Sequence, residues 1–379
     1  MNKEAVYWIA LAHLPRWGHF KINNLIIKFY HENNISIVDF FQLSENEWKN
    51  EYNLQINEVE DLKQAKSELA NNAFLAETLY NEGYELIPLT SSEYSKTLKS
   101  NLKAAHSPAL LYVKGNKQIL DEKSIAIVGS RDASSKSLEF TDNIAKIASK
   151  EFKVVVSGFA KGVDKQALDS AINYNGQSII VLPQGIMTFG SGFRKYRKQI
   201  IDGNVLVLST FFPKAPWKTE LAMARNPIIY GLADEIFVAE SSDKGGTWSG
   251  VADGLRKNRI IYVRKAEQSE NNANNLLIQK GAIPVDFEGK PLDDFIPELA
   301  EDNQLVLKNN GVNEENKIFE LLNTGEYTVK DILEKLELDW SKNKLRTFLK
   351  SKKEIETINK KPLRFTMKDS ELKQLSLYG

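Results

Sequence analysis

Cysteine is absent from all 379 residues, which excludes disulfide frameworks, thiol catalysis and thiolate metal sites. Histidine is scarce: His13, His19, His31 and His106 are the only four, all in the first third. A His-ligated metal or a His general base is therefore ruled out for the remaining two-thirds. No run of ~20 apolar residues, the length a bilayer helix needs, occurs. The opening Met1-Asn2-Lys3-Glu4-Ala5 carries no apolar signal segment. A soluble, cytoplasmic protein without a membrane partner is expected. Excess charge is missing too, since 50 Lys and Arg balance 50 Asp and Glu. That excludes a uniformly cationic wrapper but leaves room for local basic patches.

What is present suffices for packed cores. Hydrophobic residues make up 42% of the chain and aromatics 10%, and the length suggests two or three domains. Residues 1–83 read as a helical module. Val6–Ala12 is stopped by Pro15. Lys21–Tyr30 places Ile22, Leu25, Ile26 and Phe29 at i, i+3, i+4, i+7, and a further helix runs through Val59–Leu79. Residues 84–290 form the main domain, opening with short strands at Glu85–Pro88 and Leu110–Lys114. The polar stretch 291–312 reads as a linker. Residues 313–379 hold three short helical patterns (Ile318–Leu322, Thr328–Leu336, Ser341–Ser351) and a two-strand ribbon, a winged-helix pattern. Thr328 with Asp331 three residues on is a candidate capping box.

The main domain is α/β. Apolar runs at Ile125–Val128, Val154–Val156, Ile179–Leu182, Val205–Leu208, Glu235–Ala239 and Ile260–Val263 alternate with helical stretches. Strands apolar at every position are buried on both faces, so the spacing predicts a Rossmann-like, doubly wound parallel sheet.

Three glycine-bearing turns fall where such strands end. Val128-Gly129-Ser130-Arg131 follows the first. Ser157-Gly158-Phe159-Ala160-Lys161-Gly162-Val163-Asp164 follows the second. Lys244-Gly245-Gly246-Thr247-Trp248 follows the Glu235–Ala239 strand. Ligands of open α/β sheets bind at the carboxyl ends of strands. Glycine lets backbone amides approach an anion there, and each turn carries a cation. The bland reading is an ordinary βα turn; repetition with a cation each time points to phosphate. Trp248 could stack on a base or sit in the core, and Arg225 could line the groove or form a structural ion pair. The run Gly192-Phe193-Arg194-Lys195-Tyr196-Arg197-Lys198 interleaves rings with four cations, as a single-strand binder requires; a solvated helix face gives the same pattern. Lys342, Lys344, Arg346, Lys350, Lys352 and Lys353 form an acid-free basic stretch near the C-terminus, read as a DNA-contacting or merely solvated face. Asp164, Glu240 and Asp243 are the carboxylates near the turns. No nucleophile–base pair, metal-ligand cluster or Walker-type lysine accompanies them, so no catalytic residues, metal or cofactor are expected. For Asp164 a turn-holding role is the expected one.

These residues resemble the DprA/Smf family of DNA-processing proteins. The resemblance lies in Ile127–Arg131 paired with Ser157–Asp164, in Arg225-Asn226 with Ile228–Leu232, in the lead-in Pro108–Gly115, and in an N-terminal module beginning Tyr7-Trp8-Ile9-Ala10-Leu11 that is similar to a SAM or helix-hairpin-helix domain. It implies non-catalytic binding of single-stranded DNA by a core that often dimerises, and help in loading a RecA-type recombinase during natural transformation. By motif, Gly129, Ser130 and Arg131 would hold one phosphate. Ser157, Gly158, Lys161 and Gly162 would hold the next, and Arg225 would line the groove. Lys244, Gly245, Gly246 and Thr247 add a third cradle, and Arg194, Lys195, Arg197 and Lys198 are candidate extra contacts. Departures mark a divergent member. Pro227 replaces the second Arg of an Arg-Asn-Arg motif, Thr188–Phe193 replaces a Tyr-Pro-x-x-Asn segment, Lys244–Trp248 replaces a Ser-Gly-Ser turn, and Pro15-Arg16-Trp17-Gly18 lacks a second Gly. The alternative is a nucleotide sensor or phosphoribohydrolase-like protein of the same Rossmann-like group, whose Gly-Gly-x-Gly-Thr turn Gly245-Gly246-Thr247 partly resembles.

Overall fold

The computed structural model describes residues 3–292, then 318–319, 321–322, 324–336, 342–352, 355–358 and 363–367. The chain divides into two compact units, residues 1–292 and 293–379.

Among the described residues of the first unit, nine strands form one sheet in the order β1-β2-β6-β5-β4-β3-β7-β8-β9. They are β1 (Glu85–Pro88), β2 (Leu110–Lys114), β3 (Ser124–Gly129), β4 (Val154–Ser157), β5 (Ser178–Val181), β6 (Val205–Ser209), β7 (Glu235–Glu240), β8 (Ile261–Arg264) and β9 (Ile283–Val285). Strands β3 to β9 run parallel, as their uninterrupted apolar runs require. Two features lay outside the sequence pattern: β2 pairs antiparallel with β6 and with β1, which extends the sheet, and Ile283–Val285 adds a parallel edge.

Chain order runs outward from β3 through β4, β5 and β6, then returns to β7 on the other side of β3. The topological switch point therefore lies between β3 and β7, where loops diverge and leave a crevice at the carboxyl ends. Pairing shifts register between Val128 and Gly129, so Gly129 faces Glu240. A bulge at a strand end re-aims the chain that follows.

The helices around this point are α8 (Ser135–Lys150), α9 (Val163–Asn173), α12 (Thr219–Leu232) and α13 (Gly245–Arg256), counting from α1 at Ala5–Ala12. Ile125 and Ile127 of β3 pack with Phe140 and Ile144 of α8 and Val163 and Ala167 of α9. Alternation turns Ala126 and Val128 to the opposite face. Ser134 caps α8 by accepting from the Ser137 amide.

The N-terminal helices share one apolar cluster with β2, β5 and β6, built on Trp8, Leu11, Phe29, Phe40, Tyr112 and Val207. The single helix expected through Val59–Leu79 is two, Ile56–Ser67 and Leu69–Asn81, because the chain leaves helical geometry at Glu68. Lys21–Tyr30 changes from an α-helix, His19–Ile26, to a π-turn at Ile27–Glu32.

In the second unit Thr328 and Asp331 form the expected capping box of helix Val329–Lys335. Helix Lys342–Ser351 follows. Strands Ile355–Ile358 and Arg364–Met367 pair antiparallel, and Tyr327–Thr328 adds a short third strand. Ile332, Leu345, Leu349 and Phe365 form its core. Residues 293–312 of the expected linker, Lys353, and the side chains of Lys344 and Lys350 lie outside the described residues.

Candidate nucleic-acid interface

The three glycine turns meet at the switch point and are bolted together through backbone groups. The Ser130 amide donates to the Glu240 carbonyl (2.9 Å) and the Val163 amide to the Ser130 carbonyl (3.2 Å). The Thr247 hydroxyl donates to the Gly129 carbonyl (3.2 Å). Gly162 has φ +83°, a conformation costly for other residues. A Cβ there would also strike the carbonyl oxygens of Ser130 and Arg131. A cleft of about 380 Å³ opens between these turns and α12. Gly129–Asp132, Asp164, Arg225, Asn226 and Lys244–Thr247 line it.

Beneath the cleft lies a buried ion pair. Arg225, 5% exposed, donates through Nη1 to the Val181 carbonyl (2.9 Å) and holds Nη2 3.8 Å from the Asp164 carboxylate. Its Nε, also buried, has no partner. A buried unpaired donor is costly, a cost the fold carries beneath the cleft. Burial raises the Asp164 pKa; Arg225, the Ala160 amide and the Ser157 hydroxyl pull it back. Burial likewise lowers the Arg225 pKa, against the opposing effect of Asp164. Gly158 is required because a Cβ there would overlap both Arg225 Nη1 and Asp164 Oδ2.

Ser157 does not face the cleft. It is fully buried, and its hydroxyl donates to the Ile127 carbonyl (2.7 Å), so it ties β4 to β3. Glu240 is likewise engaged, accepting from the Ser134 amide (3.0 Å) and from the Ser134 and Ser137 hydroxyls (2.6 and 2.7 Å). Arg131 and Lys244 are exposed at the rim. Lys161 pairs with Asp132 at 3.1 Å, but both side chains are more than four-fifths exposed, so the pair exchanges readily for a phosphate.

A second depression continues the cleft past β4, sharing Arg131, Ala160, Ala222 and Arg225 with it and adding Lys161, Gln184 and Trp217. Trp217, 51% exposed, was invisible to motif reasoning because its loop, Thr210–Lys218, matches no pattern. The one signal in the sequence is a tryptophan close to Lys214 and Lys218. Trp248 does not line the cleft; it is partly buried, with the Lys280 ammonium 5.7 Å from its ring.

A family model described as DNA recombination-mediator protein A matches residues 85–296, more than half of the chain and all of this site. The chain belongs to that family. The DprA/Smf membership implied by the glycine turns stands. The DNA processing protein DprA of Streptococcus pneumoniae is 31% identical over 179 residues, covering 46% of this chain and 63% of the relative, less than two-thirds of its length. DprA of Bacillus subtilis is 28% identical over 229 residues, covering 59% of this chain and 73% of the relative. The X-ray structure of DprA from S. pneumoniae has the same fold, with a TM-score of 0.54 at 23% identity over 75% of this chain and 95% of that one.

The run at 192–198 is arranged differently from the glycine turns of this DprA-family chain. Tyr196 and Phe189 are buried, and Phe159, Phe189, Phe193 and Tyr196 pack edge to face with centroids 4.9–5.8 Å apart. The rings expected to meet bases are spent in the core. Lys195 binds Asp169 (2.7 Å) and Lys198 binds Asp202 (2.5 Å). Arg194 and Arg197 are exposed, and none of the four cations lines the cleft or its continuation.

Proposed function

We propose that this DprA-family chain binds single-stranded DNA without cutting it, as a recombination mediator. One observation carries the reading: a groove continuous from Lys244 past Arg131 to Lys161 and Trp217, with backbone amides at the start of α13 and the buried Arg225–Asp164 pair beneath it. Cations spaced along strand ends suit a sugar–phosphate chain, and an exposed indole supplies a sequence-tolerant stacking platform. Membership of the recombination-mediator family supports the same reading. Asp164 holds Arg225 in the cleft wall, Glu240 holds α8 beside it and Asp132 at the rim pairs with Lys161, which favours binding over hydrolysis.

Residues 1–83 act as a SAM or helix-hairpin-helix-like module and 84–290 as the DNA-binding core. Residues 313–379, joined by a linker at 291–312, act as a winged-helix module whose exposed Lys342 and Arg346 face a partner. The core forms a homodimer in the cytoplasm and hands its strand to a RecA-type recombinase. Lys244–Thr247, Gly129–Arg131 and Gly158–Gly162 contact successive phosphates.

Oligothymidylates of increasing length test this by fluorescence anisotropy. Affinity should rise with length to a plateau several nucleotides long. Thermal stability should rise with oligomers and not with mononucleotides. Saturation by a mononucleotide alone would instead identify a nucleotide sensor.

A further inference from the structure

The loop that carries Trp217 also reaches the N-terminal helices. It is braced from the core: the Gly185 amide donates to the Ala215 carbonyl (2.9 Å) and the Met187 amide to the Pro213 carbonyl (3.0 Å). The Ala215 amide closes a turn on the Phe212 carbonyl (2.8 Å), and Phe212 stands 39% exposed at that turn. Its ring meets His13 edge to face at 5.5 Å, and His13 stacks on Tyr112 of β2 at 5.8 Å. The groove loop and the N-terminal helices therefore share one seam.

The seam continues to α2 (His19–Ile26). Desolvation, and after it the charge of the next histidine, lowers the pKa of His13 and of His19. That coupling places His13, His19 and His106 in a row, with the first two as uncharged rings near neutral pH. Phe20, 55% exposed, stacks on His106 with centroids 5.7 Å apart. The turn that presents His106 is fixed twice. Asn23 Nδ2 donates to the Ala104 and Ser107 carbonyls, both at 2.7 Å. The Lys103 carbonyl accepts from the His106 and Ser107 amides, both at 3.1 Å. Lys103 has φ +64°, a strained conformation for a residue with a side chain.

Fixed charge along the seam is positive. Lys103 and Lys214 are exposed, and neither has an acidic partner among the described residues. The acids beside the start of α2 are already neutralised, Glu58 by Lys21 at 2.5 Å and Asp61 by Arg16 at 2.8 Å. An apolar peptide laid on these rings would leave both lysines without a counter-charge, whereas a sugar–phosphate chain brings one and offers its bases to the rings.

We propose that a strand longer than the groove continues from Trp217 along this seam onto the N-terminal helices, with bases on Phe212 and on the Phe20–His106 stack and phosphates at Lys214 and Lys103. The inference rests on the strand-binding reading above. Its test compares a hexathymidylate, which reads the groove, with a strand of about twenty thymidylates, by anisotropy on the full chain. Phe20→Ala should weaken the long strand about fivefold or more and leave the hexamer unchanged. Lys103→Gly removes a cation while suiting the positive φ. It should reduce the slope of log K against log salt by ~0.7 for the long strand and not for the hexamer. Trp217→Ala should weaken both lengths. Wild-type behaviour of both seam variants on the long strand, or equal losses at the two lengths in proteins with wild-type melting, overturns the seam and leaves the groove standing. Indifference of both lengths to Arg131→Ala combined with Lys161→Ala overturns the groove itself.

Discussion

Two stretches of this chain advertise cations to a reader of its sequence, and the fold treats them in opposite ways. At the switch point Arg131 and Lys244 stand at the rim of an open cleft above the buried Arg225, beside an exposed Trp217. At 192–198 the rings turn inward to Phe159 and none of the four cations lines the cleft or its continuation. Cation density does not decide the outcome, since 192–198 carries four cations and each glycine turn only one. What differs is which neighbours were already there: bare strand-end amides and glycine in one case, a core lacking aromatic volume and two aspartates in the other. A cation-and-ring pattern becomes a binding surface only where packing leaves the rings unspent.

That contrast breaks first at Arg225. Arg225→Ala strips the partner from buried Asp164, and removing one member of a buried pair costs about 3–5 kcal/mol. Lys195→Ala, at a half-exposed pair, should cost ~1 kcal/mol or less; urea denaturation compares the two. The next largest effect is on pH. His13 stacks on Tyr112 and meets Phe212, in the loop that carries Trp217, and bonds the Tyr112 hydroxyl at 2.8 Å. Burial lowers its pKa from 6.5 to about 4. The folded state thus binds fewer protons than the unfolded, so this stabilisation is complete above pH 6.5 and is lost as pH falls toward 4, by at most ~3 kcal/mol. Melting temperatures between pH 7 and 4 should fall in wild type and flatten in His13→Phe.

Trp217→Ala should weaken strand binding by about 1–3 kcal/mol with little change in melting. Phe193→Ala should do the reverse, since its ring is packed against Phe189 and Tyr84. The smallest effect is expected from Arg194→Ala with Arg197→Ala: less than about a twofold change in affinity, because exposed charges far from a contact are screened.

Much of the fold was readable because its cause is local. Six parallel strands announced themselves as unbroken apolar runs, and Thr328 with Asp331 gave its cap through spacing alone. The glycine turns were readable because backbone approach needs glycine wherever it happens. Features set by distant partners were not readable. Glu240 looked like a free carboxylate until Ser134 and Ser137, more than a hundred positions away, closed on it. Ser157 looked like a phosphate ligand until its hydroxyl met the Ile127 carbonyl. Trp217 carries no motif, and its exposure is decided by the loop's tertiary setting. The break at Glu68 is similar: the apolar period continues through it, and only the packing of the two helices shows that the chain turns.

The most direct test is the salt dependence of oligothymidylate binding. Three phosphate contacts give a slope of log K against log salt near −2, at about −0.7 per contact on single strands. The combined change Arg131→Ala, Lys161→Ala, Lys244→Ala should bring that slope close to zero, whereas neutralising Arg194, Lys195, Arg197 and Lys198 should leave it unchanged. If the slope survives the first set and collapses with the second, the strand runs over the wrong face and the account of the switch-point groove is refuted.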